Sequence, residues 1–307
     1  MYKWTDANMP RQDGKLAVVT GTGGPGYETA LSLAKAGATV VLAGRNRAKG
    51  DESVARIAKA VPQAAIAFGQ VDLADLASIK TFADAYSQQH QRLDFLINNA
   101  GVMTPPKRRE TADGFELQFG TNYLGHFALT GRLLPLIRAS SKPVIVNVSS
   151  LAHRQGAIHF DDLQWTKRYR TWASYAQSKI AMLMFAFELD RRARKAHWKL
   201  RANAAHPGFA RTELIANGPG ETGVLAGISK RILKPLLSHS AHDGALPTLF
   251  AATSEQAISG GYYGPDGFYE LKGTVKDAYV LPAARDQEAG RRLWTVSEEL
   301  TGVEINI

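Results

Sequence analysis

The chain has 307 residues and an ordinary globular composition, 45% hydrophobic and 21% charged, so it can bury a sizeable core. It contains no cysteine, which excludes disulfides, thiolate metal sites and cysteine nucleophiles. A formal net charge of +9 favours anionic partners, and a polyphosphate cofactor, nucleic acid and acidic lipid headgroups all qualify.

The start of the chain and its apolar runs bear on location. Residues 1–14 are polar, and the longest apolar run, 180–187, is far shorter than a bilayer span. We therefore expect a cytoplasmic protein with no signal peptide and no membrane anchor. The densest basic run, Arg191 to Lys195, ends a predicted helix, where cations favour the negative end of the helix dipole. Because no aromatic residues are interleaved with these charges, we expect no nucleic-acid partner.

Short β-branched strands alternate with helices over the first two-thirds of the chain. The predicted strands are 16–20, 39–43, 64–71, 93–97, 144–148 and 200–205, and the predicted helices are 26–36, 46–60, 75–89, 113–139 and 172–196. Apolar strands joined by helical crossovers are typical of a parallel sheet with helices on both faces. The sequence thus predicts an α/β fold, a doubly wound Rossmann-type sheet of about seven strands flanked by helices.

No repeat and no linker-like boundary divides the chain. We therefore expect an N-terminal extension, 1–13, followed by a single domain, 14–307. Insertions that form substrate loops are expected near 151–173 and 209–240. The Gly/Pro-rich piece 217–223 is too short for an interdomain linker and is interpreted as the hinge of a mobile loop.

A glycine-rich turn, TGTGGPG at 20–26, joins the first strand to a helix. Gly21, Gly24 and Gly26 would let the backbone approach a pyrophosphate at the positive end of that helix, although an ordinary glycine turn is the alternative. Arg45 follows the second strand. Proteins that bind a free 2′-hydroxyl on the adenosine ribose usually have a carboxylate at this position. A guanidinium suits a 2′-phosphate, so the sequence favours NADP(H) over NAD(H), with a plain surface arginine as the alternative.

A tyrosine and a lysine, Tyr175 and Lys179, lie one helical turn apart on the same face of a predicted helix. A free tyrosine titrates near pH ~10, and a nearby ammonium would lower that pKa toward the range of general acid–base work. Other polar residues follow or interrupt elements of the same sheet: Asn98-Asn99, Asn122, Ser149-Ser150 and His206-Pro207-Gly208. Strand-end serines and asparagines often only cap or turn the chain, but such a set in this order is hard to attribute to chance.

In these motifs the chain resembles the short-chain dehydrogenase/reductase family, and within it the retinol-dehydrogenase-like and WW-domain-oxidoreductase-like members. The resemblance extends from Gly14 to about Gly302. The stretch from Val146 to Lys179, with its long spacing before Tyr175, is specific to that branch, and so is the ending from Arg292 onward. The resemblance implies an enzyme that transfers hydride between NADP(H) and a carbonyl or alcohol group, with no metal.

The resemblance also implies a role for each catalytic residue. Tyr175 would be the acid/base that protonates the carbonyl oxygen, and Lys179 would lower the tyrosine pKa and hold the nicotinamide ribose. Ser150 would bind the same carbonyl oxygen. Asn122 would anchor a water molecule in a proton relay through Lys179.

The implied cofactor contacts lie at the ends of successive strands. Besides Tyr175 and Lys179 they are Gly21, Gly24, Gly26 and Arg45, then Asp72 and Leu73 at adenine, Asn99 at the cofactor floor, Pro207 and Gly208 beside the nicotinamide, and Thr212 near its carboxamide. The turn departs from the family pattern, because it is one residue shorter between Gly21 and Gly24. Pro25 also stands where an aliphatic residue is usual and would stiffen the turn.

Apolar side chains follow two strands at the ligand-binding edge. They are Phe160, Leu163, Trp165, Tyr169 and Trp172, and, after Phe209, Leu214, Ile215, Val224, Leu225, Ile228, Ile232 and Leu233. They either line a pocket for a bulky lipophilic carbonyl or pack the insertions onto the body of the protein. The helix is apolar on every side over 180–187, which predicts a second protein surface there and hence a homodimer or homotetramer.

Other functions remain as alternatives. Within the enzyme class, an NAD-dependent alcohol dehydrogenase that works in oxidation is the second choice. A non-catalytic dinucleotide-binding regulator would tend to lose Tyr175 or Lys179, and this chain has both. A methyltransferase could use the glycine turn but would have no use for the tyrosine–lysine pair.

Overall fold

A computed structural model describes residues 3–209 and 239–307. Its strands are β1 Leu16–Thr20, β2 Thr39–Gly44, β3 Ile66–Gln70, β4 Phe95–Asn98, β5 Val144–Val148, β6 Arg201–Ala205, β7 Tyr262–Pro265 and β8 Val275–Asp277. Its helices are α1 Gly24–Lys35, α2 Arg47–Ala60, α3 Leu76–Gln89, α4 Leu117–Phe119, α5 Gly125–Arg138, α6 Thr171–Lys195, α7 Ala241–Thr253 and α8 Gln287–Thr301. The strands form one sheet in the order β3-β2-β1-β4-β5-β6-β7-β8.

The predicted Rossmann-type sheet is confirmed, with one more strand than expected among the described residues. Neighbouring strands from β3 to β7 are parallel, whereas β8 is antiparallel to β7. The strand order reverses at β1, which pairs with β2 on one side and β4 on the other. Ligands of such sheets bind in the crevice at this reversal, so the turn after β1 is where a dinucleotide is expected.

Helices cover both faces of the sheet because successive strand residues point to opposite sides. Val18 and Val41 pack on the face covered by α3, α5, α6 and α8. Val19, Val40 and Leu42 pack on the face covered by α1, α2 and α7. These two apolar layers form the core on either side of one sheet, in agreement with the doubly wound architecture predicted from the sequence.

The predicted long helix over 113–139 is corrected in its first part. Helical structure begins at Leu117, because the buried carboxylate of Glu116 caps the helix by accepting N–H groups of Gln118 and Phe119. The segment Gly120–Leu124 is a π-helix, and a regular α-helix continues from Gly125. A π-turn contains one extra residue, which changes the direction of its side chains relative to an uninterrupted helix.

The chain itself covers the apolar sides of α6. Trp294 of α8 packs edge-on against Phe127 (5.4 Å between ring centroids), and its ring is tilted against that of Phe185 of α6 (5.8 Å). Val303 and Ile305, beyond α8, belong to the same buried cluster. The expectation that this helix meets a second protein surface is therefore wrong for these faces, and any homodimer or homotetramer would need another surface.

The N-terminal extension is packed onto the domain from residue 4. Trp4 is buried and meets Phe250 of α7 edge-on, with 5.4 Å between ring centroids. The carboxylate of Asp6 accepts hydrogen bonds from Ser32 (3.0 Å) and His242 (3.1 Å). Across the described ranges, no helix is both long enough and apolar enough to cross a bilayer.

We expect Trp294→Ala to destabilise the protein by about 3–5 kcal/mol, because it leaves a cavity between α5, α6 and α8. Urea unfolding followed by fluorescence or circular dichroism measures the change. Thr295→Ala is the matched control, since Thr295 is the exposed next residue of the same helix and its loss should change stability by less than about 0.5 kcal/mol. Equal stability of the two variants would contradict the packing of α8 onto α6.

Candidate active site

The turn between β1 and α1 has the backbone that a pyrophosphate site needs. Gly21 and Gly24 adopt positive φ angles of 95° and 52°, which L side chains rarely adopt. Helix α1 begins at Gly24, and its N-cap residue, Gly23, offers no side-chain hydrogen bond to the first-turn amides. A Cβ atom placed on Gly23 would meet no atom within 4 Å, so open space adjoins the positive end of the helix. The turn therefore fits a pyrophosphate.

Asn99 supports this turn from the neighbouring strand end. Its side-chain amide donates to the carbonyl of Thr20 (2.7 Å), and its backbone N–H donates to the Thr20 hydroxyl (2.9 Å). A Cβ on Gly21 would lie 2.8 Å from the Asn99 amide nitrogen, so glycine is required for this close approach. Asn99 thus lies directly beneath the turn, and its support of a bound cofactor stays a prediction.

The end of β2 lies beside the shortened turn. Arg45 is exposed immediately after β2, as expected of a residue available to a ligand. The carbonyl of Thr22 accepts a hydrogen bond from Ser53 of α2 (2.9 Å), which ties the turn to the helix that follows Arg45. The missing residue of the turn therefore does not leave it unsupported.

Asp72 and Leu73 follow β3 at the same edge of the sheet. Leu73 is buried, and its carbonyl packs against Gly125 at the start of α5. The Asp72 carboxylate accepts the N–H of Ala74 (2.9 Å), while its own N–H donates to Ser78 (2.9 Å). The Asp72 carboxylate thus stabilises its own turn, and a contact of Asp72 and Leu73 with adenine stays a prediction.

Ser150, Tyr175 and Lys179 come together where β5 ends against α6. Tyr175 and Lys179 are both buried, and the Lys179 Nζ atom lies 5.8 Å from the centroid of the Tyr175 ring. The same ammonium donates to the carbonyl of Val148 (3.1 Å), the last residue of β5. The Ser150 hydroxyl lies close enough to the Tyr175 phenol to lower its pKa. A phenol, a hydroxyl and an amine therefore share one site.

Burial dominates the electrostatics of this pair. Burial raises the pKa of the Tyr175 phenol, and the hydrogen bond with Ser150 only partly opposes this. Burial also lowers the pKa of the Lys179 amine to about 8. The expected lowering of the tyrosine pKa by the lysine is thus not found in the protein chain alone, where desolvation favours the neutral form of each group.

Asn122 lies in the π-helix, with its side chain directed at the loop after β4. Its Oδ1 atom accepts the N–H of Val102 (2.7 Å), and its Nδ2 atom donates to the carbonyl of Val102 (3.0 Å) and to the Ser178 hydroxyl (2.9 Å). A Cβ on Gly101 would lie 3.1 Å from Asn122 Oδ1 and 3.6 Å from Lys179 Nζ. Asn122 therefore holds this loop against the lysine.

A buried histidine that the sequence analysis did not select connects the two halves of the site. The Thr20 hydroxyl accepts N–H groups from Asn99 (2.9 Å) and Ala100 (3.0 Å), so its proton is free to donate to His126 Nε2 (2.9 Å). The Nδ1 atom of His126 must then carry the proton that bonds to the carbonyl of Asn122 (2.8 Å). Burial lowers the pKa of His126 to about 4, consistent with this neutral form. A single histidine inside a helix has no spacing signal that would reveal this role.

The residues after β6 border the same edge. Gly208 has a φ angle of 63°, and a Cβ there would lie 2.5 Å from the carbonyl oxygen of Leu271. The next N–H, of Phe209, donates to that carbonyl (2.7 Å), which fixes the Pro207-Gly208 turn. Thr212 lies outside the described residues, as do the seven apolar residues from Leu214 to Leu233.

The aromatic insertion before α6 serves mainly packing. Phe160 and Leu163 pack on the main core, Trp165 is buried, and the Tyr169 hydroxyl bonds with Gln118. Trp172 is different, since its side chain is 47% exposed and its ring lies 5.7 Å from that of Tyr175.

The exposed indole is also held in place. Its Nε1 atom donates to the side chain of Gln155 (2.8 Å). Trp172 is therefore an exposed aromatic side chain held beside Tyr175.

Comparison with known proteins gives a consistent family. The profile of the family described as short chain dehydrogenase matches residues 15–219. Over 299 residues the chain is 42% identical to retinol dehydrogenase 13 of Homo sapiens, covering 95% of this chain and 86% of that protein. Over 300 residues it is 39% identical to polyprenol dehydrogenase of Mus musculus, covering 96% of this chain and 86% of that protein.

Solved structures share the fold. An uncharacterised protein from Mycobacterium paratuberculosis is 35% identical, with a TM-score of 0.82 and 100% of both chains covered. A short chain dehydrogenase from Shigella flexneri, solved as a complex with NADP, is 24% identical, with a TM-score of 0.64, covering 81% of this chain and 96% of that one. At this lower identity the likeness shows the fold alone.

The buried lysine gives a prediction for the protein without ligands. We expect the Lys179 amine to be protonated below pH 8 and neutral above it, since burial lowers its pKa to about 8. Carbon NMR of protein labelled at lysine Cε measures the titration, and the resonance missing from Lys179→Met identifies this residue. The reference is the ordinary value for a free lysine amine, near pH ~10.4. A Lys179 midpoint at that value would contradict its burial.

Proposed function

The chain belongs to the short-chain dehydrogenase family of oxidoreductases, and on that basis we propose that it uses NADP(H) to interconvert a bulky lipophilic carbonyl compound and its alcohol. The observation that carries the proposal is the contact of Tyr175 with Ser150 beside buried Lys179, at the sheet edge that also carries the glycine turn. A dinucleotide whose pyrophosphate lies on α1 would extend along this edge toward the tyrosine.

Tyr175 is proposed as the acid/base. The Ser150 hydroxyl lies beside the phenol, so both groups can bond to one carbonyl oxygen placed between them. The nicotinamide, when bound, supplies the hydride to the carbonyl carbon. Because burial raises the pKa of Tyr175, the phenol keeps its proton at neutral pH, and this is the form that can protonate a carbonyl oxygen during reduction.

Lys179 and Asn122 complete the proposed proton path. The Lys179 amine, with a pKa near 8, can hold or release a proton close to neutral pH, as a group that reprotonates Tyr175 must. Asn122 holds Gly101 and Val102 against this amine. The water relay implied by the family resemblance would begin at these two residues, and Lys179 would also bind the nicotinamide ribose.

The preference for NADP(H) rests on Arg45. Its guanidinium is exposed at the end of β2, close to where the adenosine ribose lies in this fold. No carboxylate follows β2 at this point to repel a 2′-phosphate. Arg45 would then form charge-assisted hydrogen bonds to that phosphate.

We expect Arg45→Asp to raise the KM for NADPH about tenfold to a hundredfold, the worth of a charged hydrogen bond, while the KM for NADH changes little. Steady-state kinetics with both cofactors measures the difference. Arg47→Asp is the matched control, because Arg47 is equally exposed but lies over Phe68 (5.5 Å) and 4.0 Å from Asp51. Equal effects of Arg45→Asp on the KM values for NADPH and NADH would show that Arg45 does not bind the 2′-phosphate.

A lipophilic substrate is supported by Trp172 and by the relatives. An exposed indole fixed beside the acid/base offers a flat apolar surface, which suits a large carbonyl compound better than a small polar one. The relatives named above are retinol and polyprenol dehydrogenases, and both names denote lipophilic alcohols. Those names also favour the second candidate, an alcohol dehydrogenase that works in oxidation with NAD.

The decisive experiment is oxidation of NADPH and NADH by the purified protein over ketones and aldehydes of increasing size. We expect turnover with NADPH that increases with the apolar size of the substrate and falls at least a hundredfold in Tyr175→Phe, since the proton donor is lost. NADPH fluorescence should show that Tyr175→Phe still binds the cofactor.

Other outcomes would change the proposal. Unchanged turnover in Tyr175→Phe would overturn the catalytic role of the tyrosine. Faster turnover with NADH, or with alcohols and oxidised cofactor only, would favour the second candidate. Cofactor binding without turnover on any substrate would favour a dinucleotide-binding regulator.

Two expectations remain predictions. Assembly as a homodimer or homotetramer is tested by light scattering, and it would require a surface other than the covered faces of α6. Location in the cytoplasm is tested by fractionation of cells that express the full chain.

A further inference from the structure

A buried carboxylate next to the site has no part in the mechanism described so far. Glu270 lies in the loop between β7 and β8, with its side chain only 9% exposed. Its Oε2 atom lies 2.7 Å from the Arg154 guanidinium and 3.1 Å from His206 Nε2. Its Oε1 atom accepts the N–H of Tyr279 (2.9 Å). One carboxylate therefore joins three separate segments of the chain.

The backbone around Glu270 is strained in a way that turns this carboxylate inward. Tyr269 and Glu270 both have positive φ angles, 49° and 58°, a conformation that is unfavourable for residues with a Cβ atom. The preceding side chains, Phe268 and Tyr269, are 76% and 68% exposed, whereas Glu270 is buried. Such strain persists only where the surroundings enforce it, and it is often found at functional sites.

The first of two segments that Glu270 holds in place is the turn after β6. The N–H of Gly208 donates to His206 Nδ1 (3.1 Å), so the ring proton is on Nε2 and is donated to Glu270. Burial lowers the pKa of His206, which keeps the ring neutral although Glu270 opposes this. The Glu270 carboxylate thereby sets the orientation of the ring that holds Gly208, the residue assigned to the nicotinamide side.

The second segment that Glu270 holds in place begins at Ser150. The hydroxyl of Ser150 caps the 3₁₀ helix Leu151–Gln155 by accepting the N–H of Ala152 (3.2 Å). Arg154 belongs to this helix, and its ion pair with Glu270 ties the helix to the β7–β8 loop. Ser150 is the residue assigned to the carbonyl oxygen of the substrate, so this segment carries the hydride acceptor.

From this geometry we propose that Glu270 is a positioning residue. It fixes the segment that carries Gly208 relative to the segment that carries Ser150, and hence the distance between hydride donor and acceptor. The inference rests on the proposed function, because it assumes that a nicotinamide and a carbonyl group face each other there. The rate of hydride transfer depends steeply on this distance, and a misplacement of about 1 Å can reduce the rate about a hundredfold.

Charge is part of the role. Burial raises the pKa of the Glu270 carboxyl, but hydrogen bonds from His206 and Tyr279 and the charge of Arg154 outweigh it and lower the pKa to about 2. Glu270 is therefore an anion throughout the working range. An amide of the same shape is neutral, so it would hold the guanidinium and the imidazole more weakly than the carboxylate does.

The test is Glu270→Gln in the full-length protein, with Asp94→Asn as the matched control. Asp94 is also a buried carboxylate, with Lys15 at 3.3 Å, Arg92 at 3.1 Å and a backbone N–H, that of Leu16, at 2.9 Å. It directly precedes β4, at the opposite edge of the sheet from the site. Both variants lose a paired carboxylate, but only Glu270 lies beside the proposed site.

Three quantities are measured: kcat, the isotope effect on kcat with NADPH deuterated at the transferred position, and the melting temperature. For Glu270→Gln we expect kcat to fall at least tenfold and the isotope effect to rise, because hydride transfer becomes rate-limiting. Asp94→Asn should lower the melting temperature while it keeps the isotope effect of the wild type. The same isotope effect in all three proteins, with or without a fall in kcat, would overturn the proposal.

A second measurement separates this inference from the proposed function. Proton–nitrogen NMR of histidine-labelled protein should show the Nε2–H proton of His206 far downfield in the wild type and in Asp94→Asn, as expected of a hydrogen bond to a carboxylate, and less far downfield in Glu270→Gln. An unchanged Nε2–H shift in Glu270→Gln would overturn the inference even if the protein has no turnover with any substrate. If Glu270→Gln does not fold, Glu270→Asp serves, since its shorter side chain keeps the charge but cannot reach both partners.

Discussion

Parallel pairing from β3 to β7 is the constraint on which the site depends. Parallel strands all end at the same edge, so short polar segments that are far apart in sequence are brought side by side. Gly21 follows β1, Asn99 follows β4, Ser150 follows β5 and Gly208 follows β6. A meander of antiparallel strands would have distributed these residues over two opposite edges.

Burial gives this edge its chemical character. Removing water from Tyr175 and Lys179 favours the neutral phenol and brings the amine pKa down to about 8. Burial is tolerated only if the neighbouring polar groups have hydrogen-bond partners. A series of hydrogen bonds from Asn99 through Thr20 and His126 to the Asn122 carbonyl supplies these partners with neutral donors and acceptors. The electrostatics of the site and the rigidity of its walls thus have the same origin.

The sequence was sufficient for what depends on local patterns. Strand and helix periodicity located the sheet from β1 to β6, and spacing alone paired Tyr175 with Lys179. It could not reveal the π-helix around Asn122, because one extra residue in a turn leaves no signature in a periodic pattern. It detected that α6 is buried on every side but not that Trp294 of the same chain covers it, since hydrophobicity records burial and not the identity of the neighbour.

The missed residues share a physical reason. Glu270 becomes informative only through its contacts with Arg154 and His206, which are distant in sequence, and a lone glutamate in a Gly-rich loop is by composition a surface residue. The aromatic residues of the insertion posed the opposite difficulty. Phe160 and Trp172 have the same residue class, yet one packs on the core and the other is exposed beside Tyr175, a difference that only the tertiary structure decides.

The covering of α6 by α8 has a consequence for biosynthesis. The ribosome makes the helix that carries Tyr175 and Lys179 well before it makes Gln287–Thr301, so the apolar side around Phe185 has no cover while the intervening chain is translated. Exposed apolar surface on a nascent chain attracts chaperones and other nascent chains. The helix that carries Tyr175 and Lys179 therefore reaches its final environment only after α8 has left the ribosome and packed against it.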